Sequence, residues 1–176
     1  PYLDKIDKTA RKIGAVNTIK FTKRGLLKGY NTDVFGFENS LKPLLEEQHT
    51  HALILGTGGA SKAISFSLKR LGIKYKFVSR TPLKKKEIAY KELTERVLKK
   101  YTIIINSSPV GTFPAVHLKP QIPYQFITDR HLLFDLIYNP ALTSFLKEGE
   151  VKGAQIKNGL QMLELQAEES WRIWNH

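Results

Sequence analysis

The segment Leu53–Ala63, reading LILGTGGASKA, limits the fold more than any other part of the chain. Ala52 to Leu55 is a short, wholly apolar run, the pattern of a strand covered on both faces. It passes into Gly56, Thr57, Gly58 and Gly59. A run with Ala60, Ala63/Ile64, Ser67/Leu68 and Leu71 in helical register follows, stopped by Gly72. A strand that enters a helix through glycines leaves the first backbone N–H groups of that helix free. Those donors and the positive helix end favour an anion such as a diphosphate. The usual fingerprint is G-x-G-x-x-G; here Gly56 and Gly58 fit, and Ser61 stands at the third position. On the motif alone, a tight β–α turn with no ligand stays open as the alternative.

The same alternation continues along the chain. Tyr75 to Val78, Thr102 to Ile105 and Leu132 to Leu136 are further apolar runs, and Ala154 to Ile156 is a shorter strand. Between them the spacing predicts a charged amphipathic helix over Ile88–Leu98 and another near Leu142–Lys147. A last helix over Leu160–Trp174 places Leu160, Leu163, Ala167, Trp171 and Trp174 on one face. Short buried strands alternating with helices define an α/β fold, a Rossmann-type doubly wound parallel sheet with helices on both faces. Ahead of it come a short helix and two strand-like runs, Ala15–Phe21 and Gly25–Gly29, joined through Thr22–Arg24. A helix then opens at Asn31–Thr32–Asp33 and aligns Val34, Phe37, Leu41 and Leu44/Leu45, with Pro43 ending or kinking it. Ser108–Arg130 breaks the regularity with prolines at 109, 114, 120 and 123; a loop this long in a compact domain marks a functional edge.

Composition removes several classes. With no cysteine there is no disulfide, thiolate nucleophile or cysteine-held zinc, and a cytoplasmic enzyme fits. No apolar stretch approaches the ~18 residues of a membrane span, and PYLDKIDKTARK carries charge where a signal peptide needs an apolar centre. His49, His51, His117, His131 and His176 are scattered, so no metal site is expected. The net charge of +12 admits nucleic acid, a membrane surface or small anions as partners. The basic run Lys84–Lys86 with Lys91, Arg96, Lys99 and Lys100 reads first as a solvated helix face. No aromatics interleave with it to stack bases, so nucleic acid is not favoured.

The second apolar run ends in Ser79–Arg80–Thr81, where NAD-binding domains usually carry an acidic residue for the ribose. An arginine suits a 2′-phosphate instead, bidentate and planar, and Lys84 could add a second charge; NADP is favoured over NAD. The third run leads into Asn106–Ser107–Ser108–Pro109–Val110–Gly111 and the fourth ends in Asp135–Leu136–Ile137–Tyr138–Asn139–Pro140. With the glycine turn they make one edge where a cofactor would cross the sheet. Asp33, at a helix start, is a cap on the bland reading.

Seven ordered segments together resemble the shikimate dehydrogenase family. They are Ile13–Ile19 (G-A-V-N-T), Gly29–Gly36 (N-T-D-x-x-G), GTGGASKA, SRT, Asn106–Gly111, Asp135–Pro140 and Asn158–Ala167 ([DN]-G-x-x-M-L-x-x-Q-A). The resemblance implies NADPH-dependent reduction of 3-dehydroshikimate to shikimate. It implies cofactor contacts at Gly56, Gly58, Gly59, Ala60, Ser79, Arg80, Thr81, Lys84 and Ser107, with Leu136 and Gly159 against the nicotinamide. Substrate contacts fall on Asn17, Asp33, Tyr138 and Gln166, and Asp33 is the catalytic carboxylate, working beside a lysine. That lysine belongs to a T-x-P-x-K-type segment ahead of G-A-V-N-T that these residues do not contain, and Lys5, Lys8 and Lys12 lie outside the motif. The expectation is a fragment that binds NADP(H) without measurable turnover, and a homodimer is admitted. Residues 1–32 would be the remnant of an α/β substrate domain, 33–157 the NADP-binding domain, and 158–176 a helix packing back toward the first. A quinate/shikimate-type dehydrogenase, a non-catalytic NADP-binding module and a nucleic-acid-binding module are the alternatives.

Overall fold

The computed structural model describes residues 2–176. Two sheets organise the chain. The first is three-stranded: β1 (Lys5–Ile6) pairs parallel with β3 (Leu27–Tyr30), and β2 (Thr18–Phe21) pairs antiparallel with β3 on the other side. Helix α1 (Lys8–Ile13) lies between β1 and β2, capped by the Asp7 carboxylate on the Thr9 N–H and closed by Gly14 at φ +72°. The second sheet is six-stranded and wholly parallel, in the order β6-β5-β4-β7-β8-β9. Its strands are β4 (His51–Leu55), β5 (Lys74–Ser79), β6 (Glu87–Ala89), β7 (Ile103–Asn106), β8 (Leu132–Asp135) and β9 (Gln155–Lys157). The chain runs outward from β4 through β5 to β6, then restarts at β7 on the other side of β4. That is the doubly wound order, and its reversal point lies between β4 and β7.

The apolar runs are continuous because the sheet is covered on both faces. Ala52, Ile54, Ile103, Ile105, Leu132 and Phe134 point into one core with Phe37 and Leu41 of α2 (Asp33–Leu41), Ile64 and Leu68 of α3 (Gly59–Arg70), and Met162 of α6 (Leu160–Asn175). Their neighbours Leu53, Leu55, Ile104 and Leu133 point the other way. They meet Leu98 of α4 (Glu95–Lys100) and Phe145 and Leu146 of α5 (Ser144–Val151). Side chains on a strand alternate, so each run supplies both cores at once.

Two expectations differ from the structure. Ile88–Leu98 is not one helix: β6 is followed by a 3-10 turn at Tyr90–Glu92 and then α4, with Thr94 at its N-cap. Ile88 and Leu93 are five apart in sequence, off a helical stripe, and Ile88 reaches the core as a strand residue paired with Val78. Consequently β5 and β6 run parallel yet are joined by residues 80–86 alone, with no crossover helix. On α6, the apolar stripe Leu160, Leu163, Ala167, Trp171 and Trp174 faces outward, with Trp171 67% and Trp174 52% exposed. Its packed face is Met162, Gln166 and Ser170, set against α2 where Gly36 lets the backbones close up: a methyl group at Gly36 would run into the Met162 carbonyl. The last turn is tied to β2 by Lys20 Nζ donating to the Ile173 carbonyl and Trp174 Nε1 donating to the Ile19 carbonyl at 2.9 Å. Among the described residues no helix is long and apolar enough to cross a membrane.

Candidate active-site cleft

Strand register sets the site. Leu55 is level with Val78 on β5 and with Asn106 on β7, and Asn106 is level with Asp135 on β8. Strands β4, β7 and β8 therefore end on one line and β5 runs one residue further, so that Gly56, Ser79, Ser107 and Leu136 stand on the same rim. Gly56 has φ +109°, a conformation closed to most side chains, and a methyl there would press on Ser107 Oγ at 3.2 Å. Ser107 locks the turn from the other side: its N–H and Oγ donate to the Leu55 carbonyl at 3.0 and 2.9 Å. Helix α3 then begins with no side-chain cap, and side chains at Gly58 and Gly59 would stand in open space. Ser61, at the third fingerprint position, is buried and turns its Oγ back to the Gly58 carbonyl at 2.6 Å. The result is a helix start whose N–H groups point into free volume.

A cleft of about 870 Å³ opens there. Its walls are the Gly56–Gly58 turn, Val78–Thr81, Ser107–Val110 and Leu118–Gln121, with Tyr90 between them. Of the expected cofactor residues, Gly56, Gly58, Ser79, Arg80, Thr81 and Ser107 line it. Gly59, Ala60 and Lys84 do not; Lys84 is exposed on the 80–86 connection. Leu136 and Gly159 lie at the end of β8 and are brought together, since a side chain at Gly159 would collide with the Leu136 carbonyl. Two wall elements carried no individual assignment from the sequence. Leu118–Gln121 falls in the proline-rich stretch that the sequence marks as a functional edge, whereas Tyr90 lies inside the stretch whose spacing predicts a helix.

A second polar cluster sits where β2, α2 and α6 meet. Asn17 Nδ2 donates to Asp33 Oδ1 at 2.8 Å, and the Thr32 N–H donates to Asn17 Oδ1 at 2.9 Å. Thr32 Oγ1 donates to Gln166 Oε1 at 3.2 Å, and a buried hydroxyl group of Thr18, Thr32 and Ser170 ties the strand and both helices together. Burial raises the proton affinity of Asp33 above that of an ordinary carboxylate, and the Asn17 bond partly offsets this. Asp33 forms no ion pair among the described residues. The structure thus brings Asn17, Asp33 and Gln166 together. Tyr138, on the loop after β8, is 49% exposed and has no hydrogen bond to them. No group of three metal-binding side chains occurs among the described residues.

Fold and cleft together define a Rossmann-type α/β protein with its binding edge at the reversal point of the sheet. No protein-family model matches the chain. It is 39% identical over 191 residues to a shikimate dehydrogenase (NADP(+)) of Methanococcus vannielii, covering 98% of this chain and 66% of that protein. It is 37% identical over 190 residues to a shikimate dehydrogenase (NADP(+)) of Methanosphaera stadtmanae, covering 99% and 67%. Among solved structures, shikimate 5-dehydrogenase from Thermus thermophilus in complex with NADP(H) and shikimate superimposes with a TM-score of 0.83 at 31% identity, over 98% of this chain and 66% of that one. The chain belongs to the shikimate dehydrogenase family, and it spans about two thirds of the length of the curated relatives it matches.

Proposed function

We propose that this chain binds NADP(H) and supplies the dinucleotide-binding part, with one wall of the substrate site, of an enzyme interconverting 3-dehydroshikimate and shikimate. The matched relatives carry NADP(+) in their names. One observation carries the reading: the shared register gathers the Gly56–Gly58 turn, Ser79–Arg80–Thr81 and Ser107 into a single cleft. The residues fit the cofactor. The open space over Gly58 and Gly59 admits a diphosphate against the free N–H groups of α3, a helix of twelve residues. Arg80 lines the same cleft with a planar guanidinium suited to a 2′-phosphate, and Lys84 adds positive charge on the same connection without lining the cleft.

The cofactor, when bound, would supply hydride chemistry at the carbon bearing the reacting oxygen. The protein's own residues do the rest. Leu136 and the backbone of Gly159 would form the surface against the ring, and Asn17 and Gln166, with Tyr138 from the loop after β8, would hold the substrate's polar groups. Asp33, which has no cationic partner among the described residues, would orient an amine brought to the reacting oxygen and tune its readiness to give a proton. The same reading takes residues 1–32 as part of a substrate domain, 33–157 as the dinucleotide domain and 158–176 as the helix that returns to the first.

Calorimetry with NADP+ and NAD+ on this chain tests the proposal. NADP+ should bind more tightly, and Arg80→Ala should remove that preference. Hydrogen bonds to charged groups contribute about 1.5–3 kcal/mol, so the loss should be roughly 10- to 100-fold in Kd. Equal affinity for the two dinucleotides in the unaltered chain would sink the reading, as would a preference that survives Arg80→Ala. Turnover is to be measured on a polypeptide of the relatives' full length.

A further inference from the structure

We propose that Asp135 is a positioning residue of the dinucleotide cleft, a single buried carboxylate that fixes the turns after β7 and β8 and the start of α5 relative to one another. The inference rests on the dinucleotide reading above. Asp135 is the last residue of β8 and fully buried. Its Oδ1 accepts from Asn106 Nδ2 at 3.0 Å and from the Ile137 N–H at 3.1 Å, and its Oδ2 accepts from Thr143 Oγ1 at 2.6 Å. Each donor belongs to a different segment.

Asn106 carries the effect into the cleft. It too is fully buried, and its Oδ1 accepts from the Ser108 N–H at 3.1 Å and the Ser108 hydroxyl at 2.7 Å. A backbone N–H can only donate, so the oxygen of the carboxamide must face Ser108 and the nitrogen must face Asp135. The second amide hydrogen goes to the Val110 carbonyl at 3.2 Å. Ser108 and Val110 are cleft wall. Thr143 completes the third arm: it gives its proton to Asp135 and accepts from the Leu146 N–H at 3.3 Å as the N-cap of α5.

None of these partners is a cation. Three neutral donors hold the carboxylate, and burial still raises its proton affinity to about 6. Burying a charge without a counter-charge opposes folding, and the three hydrogen bonds are what offset that cost. An asparagine at 135 would retain the oxygen that meets Asn106 and Ile137 and disturb only the Thr143 arm. An alanine would remove all three arms.

The test uses this chain and NADP+ in calorimetry, with backbone amide resonances of Ser108 and Val110 read in the ligand-free protein. Asp135→Ala should weaken binding at least tenfold and move both resonances. Asp135→Asn should restore affinity to within about threefold and return the resonances. Asn106→Ala, which cuts the relay and leaves the Ile137 and Thr143 arms, should reproduce the loss even where Asp135→Ala fails to fold. Thr143→Val should lower Tm and leave affinity within about threefold. If the unaltered chain binds NADP+ and either Asp135→Ala or Asn106→Ala binds equally well with unmoved resonances, the positioning role is wrong. If the unaltered chain does not bind, the dinucleotide reading is what has failed.

Discussion

Proton accounting decides how the site's side chains face. The Thr32 N–H claims Asn17 Oδ1, so the Asn17 amide nitrogen is left for Asp33. The Thr32 hydroxyl lies 3.2 Å from Gln166 Oε1 and can donate to it or to Asn17 Oδ1 at 3.3 Å. The polar cluster therefore sets the Asn17 amide donor beside the Asp33 carboxylate acceptor, a pairing suited to hydroxyl groups. The same bookkeeping applies to two histidines far from the cleft. His131 Nδ1 accepts from the Thr128 N–H at 3.1 Å, so its Nε2 carries the proton and donates to the Leu98 carbonyl. His49 Nδ1 accepts from the Glu46 N–H at 3.0 Å, which leaves a buried Nε2–H with no partner. Burial lowers the proton affinity of both. A histidine with a depressed folded pKa gives stability that is full above its unfolded value of about 6.5 and lost as pH falls through the folded one. Asp135 has the opposite sign: raised to about 6, it gives stability present below the unfolded value and lost as pH rises through 6. Because the two oppose, the histidine effect is best read as a difference. His131→Asn keeps an acceptor for Thr128 and loses the bond to Leu98, so at pH 8 it should cost about 1–3 kcal/mol. The Tm gap to the unaltered protein should narrow as pH is lowered from 8 to 5. A gap that stays constant would mean His131 does not change protonation on unfolding.

Among elements, the contact of α2 with α6 joins the two sheets. Its seam is built from small and polar groups, Gly36 against the Met162 carbonyl and Thr32 against Gln166 and Ser170. Gly36 sits inside a helix, where glycine is locally unfavourable, and only the close approach justifies it. Gly36→Ala should force the helices apart at a cost of about 1–3 kcal/mol, typical of overpacking. At about 2–4 °C per kcal/mol for a domain of this size, thermal unfolding should shift down by several degrees. An unchanged Tm would show that the seam can relax. The seam also explains what could be read in the sequence and what could not. The strands β4, β7 and β8 were legible because burial on both faces leaves short runs dominated by apolar residues, β5 by Phe77 and Val78 despite Lys76, and the turn at Gly56 by its glycines. Periodicity grouped the outward stripe of α6 correctly, yet it cannot say which face packs when the packed one is Gln166 and Ser170. The Ile88–Leu98 stretch misled because its charged residues have high helix propensity, while Ile88 is drawn into the sheet beside Val78, a tertiary demand no local pattern shows. Asp33, Asn17 and Gln166 were legible only through the family's motifs, since nothing in spacing alone joins residues so far apart. Asp135 stood in a motif but without a role, because its partners are assembled by strand register.

For the molecule as a whole, the +12 net charge sets a field that an anionic dinucleotide meets before it meets any side chain. The connection from β5 to β6 carries part of that charge: Arg80, which lines the cleft, and the exposed Lys84, Lys85 and Lys86 all fall within residues 80–86, with no helix to spread them out. Arg80 lines the cleft, whereas Lys84 does not, and Lys86 is held over the Tyr75 ring at 4.5 Å. The three lysines thus act at longer range than Arg80. Long-range attraction alters how fast a ligand arrives, and contact alters how long it stays. A Lys84→Gln, Lys85→Gln, Lys86→Gln triple variant should therefore slow NADPH association by about 3- to 10-fold at low salt and leave the dissociation rate nearly unchanged. The gap should close toward ~0.5 M salt, where the screening length falls well below the ~10 Å of dilute buffer. Arg80→Ala should do the reverse, speeding dissociation with less effect on arrival. Stopped-flow measurement of NADPH fluorescence across a salt series separates the two. If the triple variant acts mainly on dissociation, the lysines touch the bound phosphate, and the helix-free connection is a clasp rather than a steering element.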